Sequence, residues 1–284
     1  MIPAAFDYEA PTTIEDALAL LAGAGEREVK LLAGGQSFLP VLRMRMASPD
    51  LVVDLGRIEA LRGVRDDGDA IVIGAMTTHD EVVNHPLVRE HAALLSQAAA
   101  TVADPQVRHR GTLGGSLAHC DPAGDMGAAA LALDASMVIA GPGGRRTESA
   151  KEFFVDLFTS AVGHGELLAE IRVPKHTGWG SHYEKFNHTA QAWSIVAVAA
   201  AVKAEGGVIS QAKVALTNMG LVPLRAAGVE AALVGQPATA EVIAAAAARA
   251  TEGTAPMDDA NADEDYRRNL AVVLTKRALL TATR

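Results

Sequence analysis

A buried strand that runs straight into two glycines constrains the first third of this chain. Residues 29–33 form an apolar run typical of a strand, residues 38–46 have helical spacing, and residues 51–55 read as a second strand. The loop between the first strand and the helix is Gly34, Gly35, Gln36 and Ser37. Adjacent glycines leave their N–H groups uncovered, which favours a bound anion, and a serine hydroxyl can add a hydrogen bond. A Gly-Gly pair is more often only a turn, so this loop alone is weak evidence for phosphate binding.

A second glycine-rich loop, at residues 111–116, repeats the pattern with Thr112, Gly114, Gly115 and Ser116. Two such loops predict a ligand with two phosphates, held from both sides. The chain lacks the three spaced glycines of the dinucleotide fingerprint and the lysine of a P-loop, which disfavours both common nucleotide folds. Asp125 follows, and its carboxylate either accepts a hydrogen bond from a ribose or a ring N–H, or caps the next helix.

The charge balance disfavours a nucleic-acid partner. The chain has 25 Lys and Arg against 34 Asp and Glu, a net charge of −9, whereas contact with a phosphate backbone needs concentrated Lys and Arg. Two arginine pairs nevertheless lie beside the glycine-rich loops, Arg43 with Arg45 and Arg108 with Arg110. These pairs either serve one small phosphorylated ligand or are solvated loop charges.

Cysteine and histidine usage argues against a metal centre on this chain. Cys120 is the only cysteine, so no internal disulfide forms and no iron–sulfur cluster, which takes about four thiolates, is held by the chain alone. His79, His85 and His91 are spaced around a helix rather than along one face, and we expect surface or turn roles for them. No Ser-His-Asp arrangement is evident, so no catalytic residue is predicted.

Neither a secretory signal nor a membrane span is predicted. The first residues have no basic or apolar signal region, and the longest apolar stretch, at residues 193–202, is half of what a span requires. The expectation is a soluble, cytoplasmic protein.

The patterning predicts three domains, at residues 1–56, 57–175 and 176–284. In the second domain we expect a hairpin at 62–75, a short helix capped by Thr78, one long helix at 87–102 and an irregular stretch at 104–116. In the third we expect three antiparallel strands, at 183–186, 194–204 and 208–216, and then helices at 224–234, 240–250 and 266–282.

Long runs of the sequence resemble the FAD-binding subunits of molybdenum hydroxylases. LLAGGQSFLPVLRMRMASPDLVVDLGRI is similar to the first FAD loop of that family and DPQVRHRGTLGGSLAHCDPAGDMGAAALALDA to the second, while GAMTTHDEV and GELLAEIRVP add further similarity. The resemblance covers essentially the whole chain and is nearest to the medium subunits of aerobic carbon monoxide dehydrogenases. It implies an α+β fold of the p-cresol methylhydroxylase type. Two α/β subdomains would enclose FAD, and a C-terminal α+β domain with a three-stranded antiparallel sheet would follow.

The family's cofactor-binding positions carry over to thirteen residues of this chain. The pyrophosphate would bind Ala33, Gly34, Gly35, Gln36 and Ser37, and the remainder of FAD would contact Thr112, Gly114, Gly115, Ser116 and Asp125. Leu168 would lie near the flavin ring, Lys185 would reach its polar edge, and Trp193 stands where many relatives have a tyrosine. The chain also departs from the family at Asn187, His188 and Ala192, where a basic and an acidic residue are frequent.

The resemblance implies an electron-transfer subunit with FAD as its own cofactor. A large subunit with a molybdopterin-type molybdenum cofactor and a small subunit with 2Fe-2S clusters would be its partners, in a dimer of heterotrimers. Electrons would pass to quinone, NAD or oxygen, with the complex in the cytoplasm or at the inner face of the membrane. Related subunits serve xanthine-, nicotine- and quinoline-type hydroxylases. A stand-alone flavin oxidase or reductase and a nucleotide-sensing scaffold without a redox role are the alternatives.

Overall fold

The computed structural model describes residues 2–284, whose strands form three larger sheets and one hairpin. The first sheet is parallel, with strand order β1-β3-β2. Its strands are β1 (Asp7–Glu9), β2 (Val29–Leu32) and β3 (Leu51–Asp54), and its helices are α1 (Ile14–Ala22) and α2 (Phe38–Arg43). The Thr13 hydroxyl accepts from the amide of Asp16 and caps the start of α1. The loop between β2 and α2 is therefore the glycine-rich loop at residues 33–37, the first loop.

The second sheet is antiparallel and five-stranded, in the order β4-β5-β10-β6-β7. The strands of this region are β4 (Val64–Asp66), β5 (Ala70–Gly74), β6 (Ser136–Gly141), β7 (Gly144–Ser149) and β10 (Leu167–Pro174), with a hairpin of β8 (Phe154–Asp156) and β9 (Thr159–Ser160). Two 3-10 turns, Leu55–Arg57 and Glu59–Leu61, lead into it from the first sheet. The predicted hairpin at 62–75 is confirmed as β4 and β5.

Six helices connect β5 to β6. They are α3 (His79–Asn84), α4 (Pro86–His91), α5 (Ala93–Ala100), α6 (Pro105–Arg108), α7 (Leu113–His119) and α8 (Asp125–Ala132), and α9 (Ala150–Phe153) follows β7. Every residue of α8 is buried, because this helix lies between the second sheet and the third in one continuous apolar core.

The third sheet is antiparallel, in the order β11-β12-β13-β14. Its strands are β11 (Gly180–Phe186), β12 (Val196–Glu205), β13 (Val208–Thr217) and β14 (Leu224–Arg225), followed by α10 (Ala227–Leu233), α11 (Ala240–Ala247) and α12 (Glu264–Ala282). Ala197 and Ala199 of β12 belong to the core that contains α8, whereas Val196 and Val198 belong to the core that contains α12. Small alanines on one face let the buried helix approach the sheet, which explains the alanine-rich strand.

The single helix predicted at 87–102 is wrong, because the structure has two helices that meet at Ala92. The backbone of Ala92 has φ −143 and ψ 46, outside the helical region. The carbonyl oxygen of His91 accepts a hydrogen bond from the amide of His176 at 2.7 Å, while the amide of Leu95 turns to the carbonyl of Ala92. A contact from a distant segment thus replaces the helical bond that periodicity predicts.

Two other predictions need correction. The stretch at 104–116 is not irregular, because Asp104 caps α6 and Thr112 caps α7 through side-chain oxygens that accept backbone N–H bonds. The third sheet has four strands rather than three, because Leu224 and Arg225 pair with β13 instead of beginning a helix.

Among residues 2–284, no helix combines the length and apolar character that crossing a membrane would take.

The packing of α12 against the third sheet predicts a matched pair of mutants. Leu279 is fully buried, whereas its neighbour Leu280 only borders the same core. We expect Leu279→Ala to lower the free energy of unfolding by about 2–5 kcal/mol, the usual cost of emptying a buried leucine site. Leu280→Ala is the control and should cost clearly less in urea titrations of both variants. Equal losses would contradict the assigned helix face.

Candidate functional site

A cavity of about 660 Å³ lies where the three sheets meet, within the size range of small-molecule and cofactor sites. The structure brings all thirteen sequence-predicted residues to its wall: Ala33, Gly34, Gly35, Gln36, Ser37, Thr112, Gly114, Gly115, Ser116, Asp125, Leu168, Lys185 and Trp193. Leu168 is buried beside a register shift in β10, whereas the Trp193 side chain is 53% exposed. Of the departures from the family pattern, Ala192 lines the cavity and Asn187 and His188 do not.

The first loop presents a row of uncommitted amides. Gly35 has φ +75, a conformation that side chains disfavour, and the Gln36 side chain donates to the carbonyl of Gly34 at 3.0 Å. Within residues 2–284, the N–H groups of residues 34–37 donate to no other group, and the Ser37 hydroxyl makes no capping bond. Successive amides without protein acceptors are the arrangement that holds anions in other proteins. The first loop therefore has the donor set that its sequence predicts.

The second loop, residues 111–116, differs from that prediction. The amides of Leu113 and Gly114 donate to the carbonyls of Thr77 and Ala75, each at 2.9 Å. The amides of Gly115 and Ser116 donate to the side chain and the carbonyl of Thr112. These N–H groups already have acceptors, so the two loops do not clasp an anion symmetrically. The second loop offers the Ser116 side chain and the Thr112 amide, which has no acceptor in the protein, while the first loop supplies four free amides.

The glycines of the two loops also allow close packing. A Cβ on Gly34 would lie 2.1 Å from the carbonyl oxygen of Arg110 and 2.7 Å from the Cα of Gly111. A Cβ on Gly114 would lie 2.5 Å from the Cβ of Ala75. Distances this short cannot be accommodated without moving backbone. Gly34 thus serves the contact between the loops, and not only the approach of a ligand.

The arginine pairs do not line the cavity. Arg43, Arg45, Arg108 and Arg110 are all absent from its wall. Arg108 instead donates to the carbonyl of Val102 at 2.8 Å, and Arg45 donates to the carbonyl of Ile2. The structure therefore does not favour the interpretation that these arginines bind a small phosphorylated ligand.

The opposite end of the cavity contains a buried polar cluster around Asp125. One carboxylate oxygen accepts from the hydroxyls of Tyr183 at 2.9 Å and Ser194 at 2.6 Å, and the other accepts from the Lys185 ammonium at 2.7 Å. Burial raises the pKa of Asp125, while Lys185 and the two hydroxyls oppose that change. Burial, reinforced by Asp125, holds the pKa of Tyr183 well above its usual value. Neither helix capping nor a bond from the ligand is needed to explain Asp125, because three protein donors already satisfy it.

Lys185 keeps one donor for the cavity. Its ammonium has three N–H bonds, of which one goes to Asp125 and one to the carbonyl of Thr101 at 3.1 Å. The side chain is only 6% exposed, and it lines the cavity. A ligand at this end therefore meets a cation whose charge is partly offset by Asp125, and it must present a hydrogen-bond acceptor.

Of the histidines for which surface or turn roles were predicted, His79 and His91 are both buried, and His79 belongs to the site. We expected a surface or turn role, but His79 is 4% exposed and lines the cavity beside the second loop. Burial, with a smaller contribution from Arg108, lowers its pKa from 6.5 to about 4. The useful signal was the capping box of Thr78 and Glu81, which fixes His79 as the first residue of α3.

The depressed pKa of His79 predicts a pH dependence of stability. Between about pH 6.5 and about pH 4 the His79 imidazole is protonated in the unfolded chain and neutral in the folded chain. Stability is therefore lost as pH falls through this range. The full effect is about 3 kcal/mol, from the pKa difference at about 1.4 kcal/mol per unit. We expect His79→Leu to lose less stability than the wild type between about pH 7 and about pH 5 in urea unfolding. Identical pH profiles for the two proteins would contradict the buried, neutral imidazole.

Comparison with known proteins identifies the family. Residues 4–176 match the family model for the FAD binding domain in molybdopterin dehydrogenase, and residues 181–282 match that for the CO dehydrogenase flavoprotein C-terminal domain. The carbon monoxide dehydrogenase medium chain of Hydrogenophaga pseudoflava is 40% identical over 99% of this chain and 98% of its own length.

Solved structures agree with this match. Carbon monoxide dehydrogenase from Hydrogenophaga pseudoflava superposes with a TM-score of 0.96 at 42% identity, over 99% of this chain and 98% of that one. Quinoline 2-oxidoreductase from Pseudomonas putida 86 gives 0.94 at 32% identity, over 100% and 98%. The mixed α/β fold inferred from the sequence is confirmed. With its two family domains matched in order and its whole length covered, the chain belongs to the FAD-binding subunits of the molybdopterin dehydrogenase family.

Proposed function

We propose that this chain is the FAD-binding electron-transfer subunit of a molybdenum hydroxylase. It would receive electrons from 2Fe-2S clusters of a small partner subunit and pass them to an external acceptor. FAD suits this task because a flavin exchanges electrons singly or in pairs. The observation that carries the proposal is the single cavity lined by all thirteen family positions, with four free amides at one end and Lys185 at the other.

The free amides of the first loop fit a diphosphate. Four N–H groups in a row can donate to phosphate oxygens without a change in the fold, because no protein acceptor has to be given up. The Ser37 hydroxyl lines the same wall and has no capping bond to lose. Neutral donors of this kind stabilise an anion although the four arginines do not line the cavity.

Lys185 suits the polar edge of a flavin ring. Its remaining N–H bond would donate to a ring acceptor, and its positive charge would stabilise negative charge that develops there. Asp125 fixes the position of that ammonium, so the carboxylate acts through Lys185 and not by direct contact. Leu168 and Trp193 would border the ring, the first inside the cavity and the second at its mouth.

The partner subunits follow from the family and from what the chain lacks. One cysteine cannot hold a cluster, so we assign the clusters to a small subunit and the molybdenum cofactor to a large one. The relatives include medium chains of carbon monoxide dehydrogenases. We further propose a dimer of heterotrimers in the cytoplasm, with quinone, NAD or oxygen as acceptor, quinone being reached at the inner face of the membrane.

Ser37→Ala tests the first loop without disturbing its packing. A hydrogen bond to a charged acceptor contributes about 1.5–3 kcal/mol, so we expect FAD to be held at least about tenfold more weakly. The melting temperature of the FAD-free chain should not change, because Ser37 makes no capping bond. Ser48→Ala, at an exposed serine outside the cavity, is the matched control. FAD affinity equal to wild type would exclude Ser37 from the site.

A second experiment tests the place of this chain in electron transfer. In the assembled complex, removal of FAD should leave substrate able to reduce the iron–sulfur clusters, while delivery to the external acceptor should fall sharply. Stopped-flow absorbance at cluster wavelengths measures the first step, and acceptor reduction measures the second. The complex with FAD restored is the control.

The opposite outcome would be decisive. If the clusters no longer reduced when only FAD was missing, FAD would lie upstream of them and the chain would not be the exit of the electron path. Substrate oxidation by the isolated chain would instead favour a stand-alone flavin oxidase or reductase.

A further inference from the structure

His79 is buried without a hydrogen-bond partner for either ring nitrogen. Its Nδ1 atom is shielded from solvent and has no partner, and within residues 2–284 its Nε2 atom makes no hydrogen bond. A buried polar atom left unpaired costs about 1–3 kcal/mol. An apolar side chain would avoid that cost in this position. The histidine therefore requires a reason other than the stability of the empty chain.

The ring is held beside the contact between the two loops. Thr78 and Glu81 form a capping box that fixes the first turn of α3, and the amide of His79 donates to the carbonyl of Gly111 at 2.9 Å. A Cβ on Gly111 would lie 2.9 Å from Cδ2 and 3.3 Å from Nε2 of His79. Gly111 in turn lies against Gly34 of the first loop. The imidazole is thus positioned from both sides before any ligand binds.

One ring nitrogen is available to a ligand. His79 lines the cavity, and its Nδ1 atom is enclosed by protein, so Nε2 is the atom that can reach the cavity. The arginines near the loops do not line the wall, and the amides of residues 113–116 already donate to Thr77, Ala75 and Thr112. Few donors are left on this side of the cavity, the Thr112 amide and the Ser116 hydroxyl among them, and His79 adds one that no protein group uses.

We propose that His79 is a further FAD-binding residue, whose Nε2–H donates a hydrogen bond to an oxygen of the diphosphate or of the ribose next to it. The inference rests on the proposed function and deepens it. The imidazole stays neutral because burial disfavours its charged form, so it carries one hydrogen and can supply one such bond. With that bond made, the missing partner of Nε2 is supplied in the FAD-bound chain and not in the empty one, while Nδ1 stays unpaired in both.

Three variants of the assembled complex test this role. His79→Leu removes both ring nitrogens, His79→Gln places an amide N–H near the position of Nε2, and His85→Leu is the matched control. His85 is the C-cap residue that follows α3, also has an unpartnered Nδ1 atom, and does not line the cavity. The measurements are the FAD content per chain, the rate of FAD release after dilution, and the melting temperature of the FAD-free chain.

We expect His79→Leu to release FAD at least about tenfold faster, which corresponds to about 1.4 kcal/mol. Its FAD-free melting temperature should equal or exceed that of wild type, because no protein hydrogen bond is lost. His79→Gln should restore slow release, and His85→Leu should behave as wild type. A structural role would instead lower the melting temperature and FAD retention together, without rescue by glutamine, and would overturn the inference.

The proposed function and this inference fail in different ways. Wild-type release rates in His79→Leu, in a complex that contains FAD, would overturn the role of His79 alone. A wild-type complex that contains no FAD would refute the proposed function and this inference with it.

Discussion

The backbone contact between the two glycine-rich loops holds the cavity together. The first loop comes from the parallel sheet and the second from the helices of the middle region, and they meet where Gly34 faces the Arg110 carbonyl and Gly111. Any side chain at Gly34 would force the loops apart, so the distance between the first two parts of the fold is set by a missing Cβ. His79 lies on the same contact, since its backbone and its ring both touch Gly111. The width of the cavity beside the first loop therefore follows from backbone sterics.

The third part of the fold is attached through buried polar groups. Asp125 begins α8, whereas Tyr183 and Lys185 lie on β11 and Ser194 precedes β12, so the cluster joins the middle region to the third sheet. A buried carboxylate of this kind is stable only when its hydrogen bonds are complete, which demands that the sheet sit at one distance from the helix. The alanines of β12 make that distance possible, because they let α8 lie close to the sheet. The packing of the alanines and the hydrogen bonds of Asp125 thus fix the same distance between α8 and the third sheet.

Local signals in the sequence predicted the two glycine-rich loops, and the resemblance to the family supplied Leu168, Lys185 and Trp193, but neither predicted their hydrogen bonds. The glycine-rich loops, the hairpin and the Thr78 cap are short-range features, and they were assigned to the right segments. The break at Ala92 was missed because its cause is the distant amide of His176. The buried position of His79 was missed because helical spacing places residues on faces and does not say which face a second loop will cover. The acceptors of the second-loop amides, including the Ala75 carbonyl, could not be read from the loop itself either.

The two ends of the cavity both present hydrogen-bond donors with little net positive charge. Where we propose the diphosphate, a chain of net charge −9 would hold an anion. It offers neutral donors there, the four amides and the hydroxyl of Ser37, while Arg45 and Arg108 donate to backbone carbonyls. At the other end Lys185 is the cation, but Asp125 accompanies it, so the pair presents a directed dipole more than a net charge. Donors fixed in advance by the backbone need no reorganisation when charge arrives. In a site built in this way, the direction of the N–H bonds determines where negative charge is stabilised. For a subunit that passes electrons onward, such directed donors are more useful than a strong positive field.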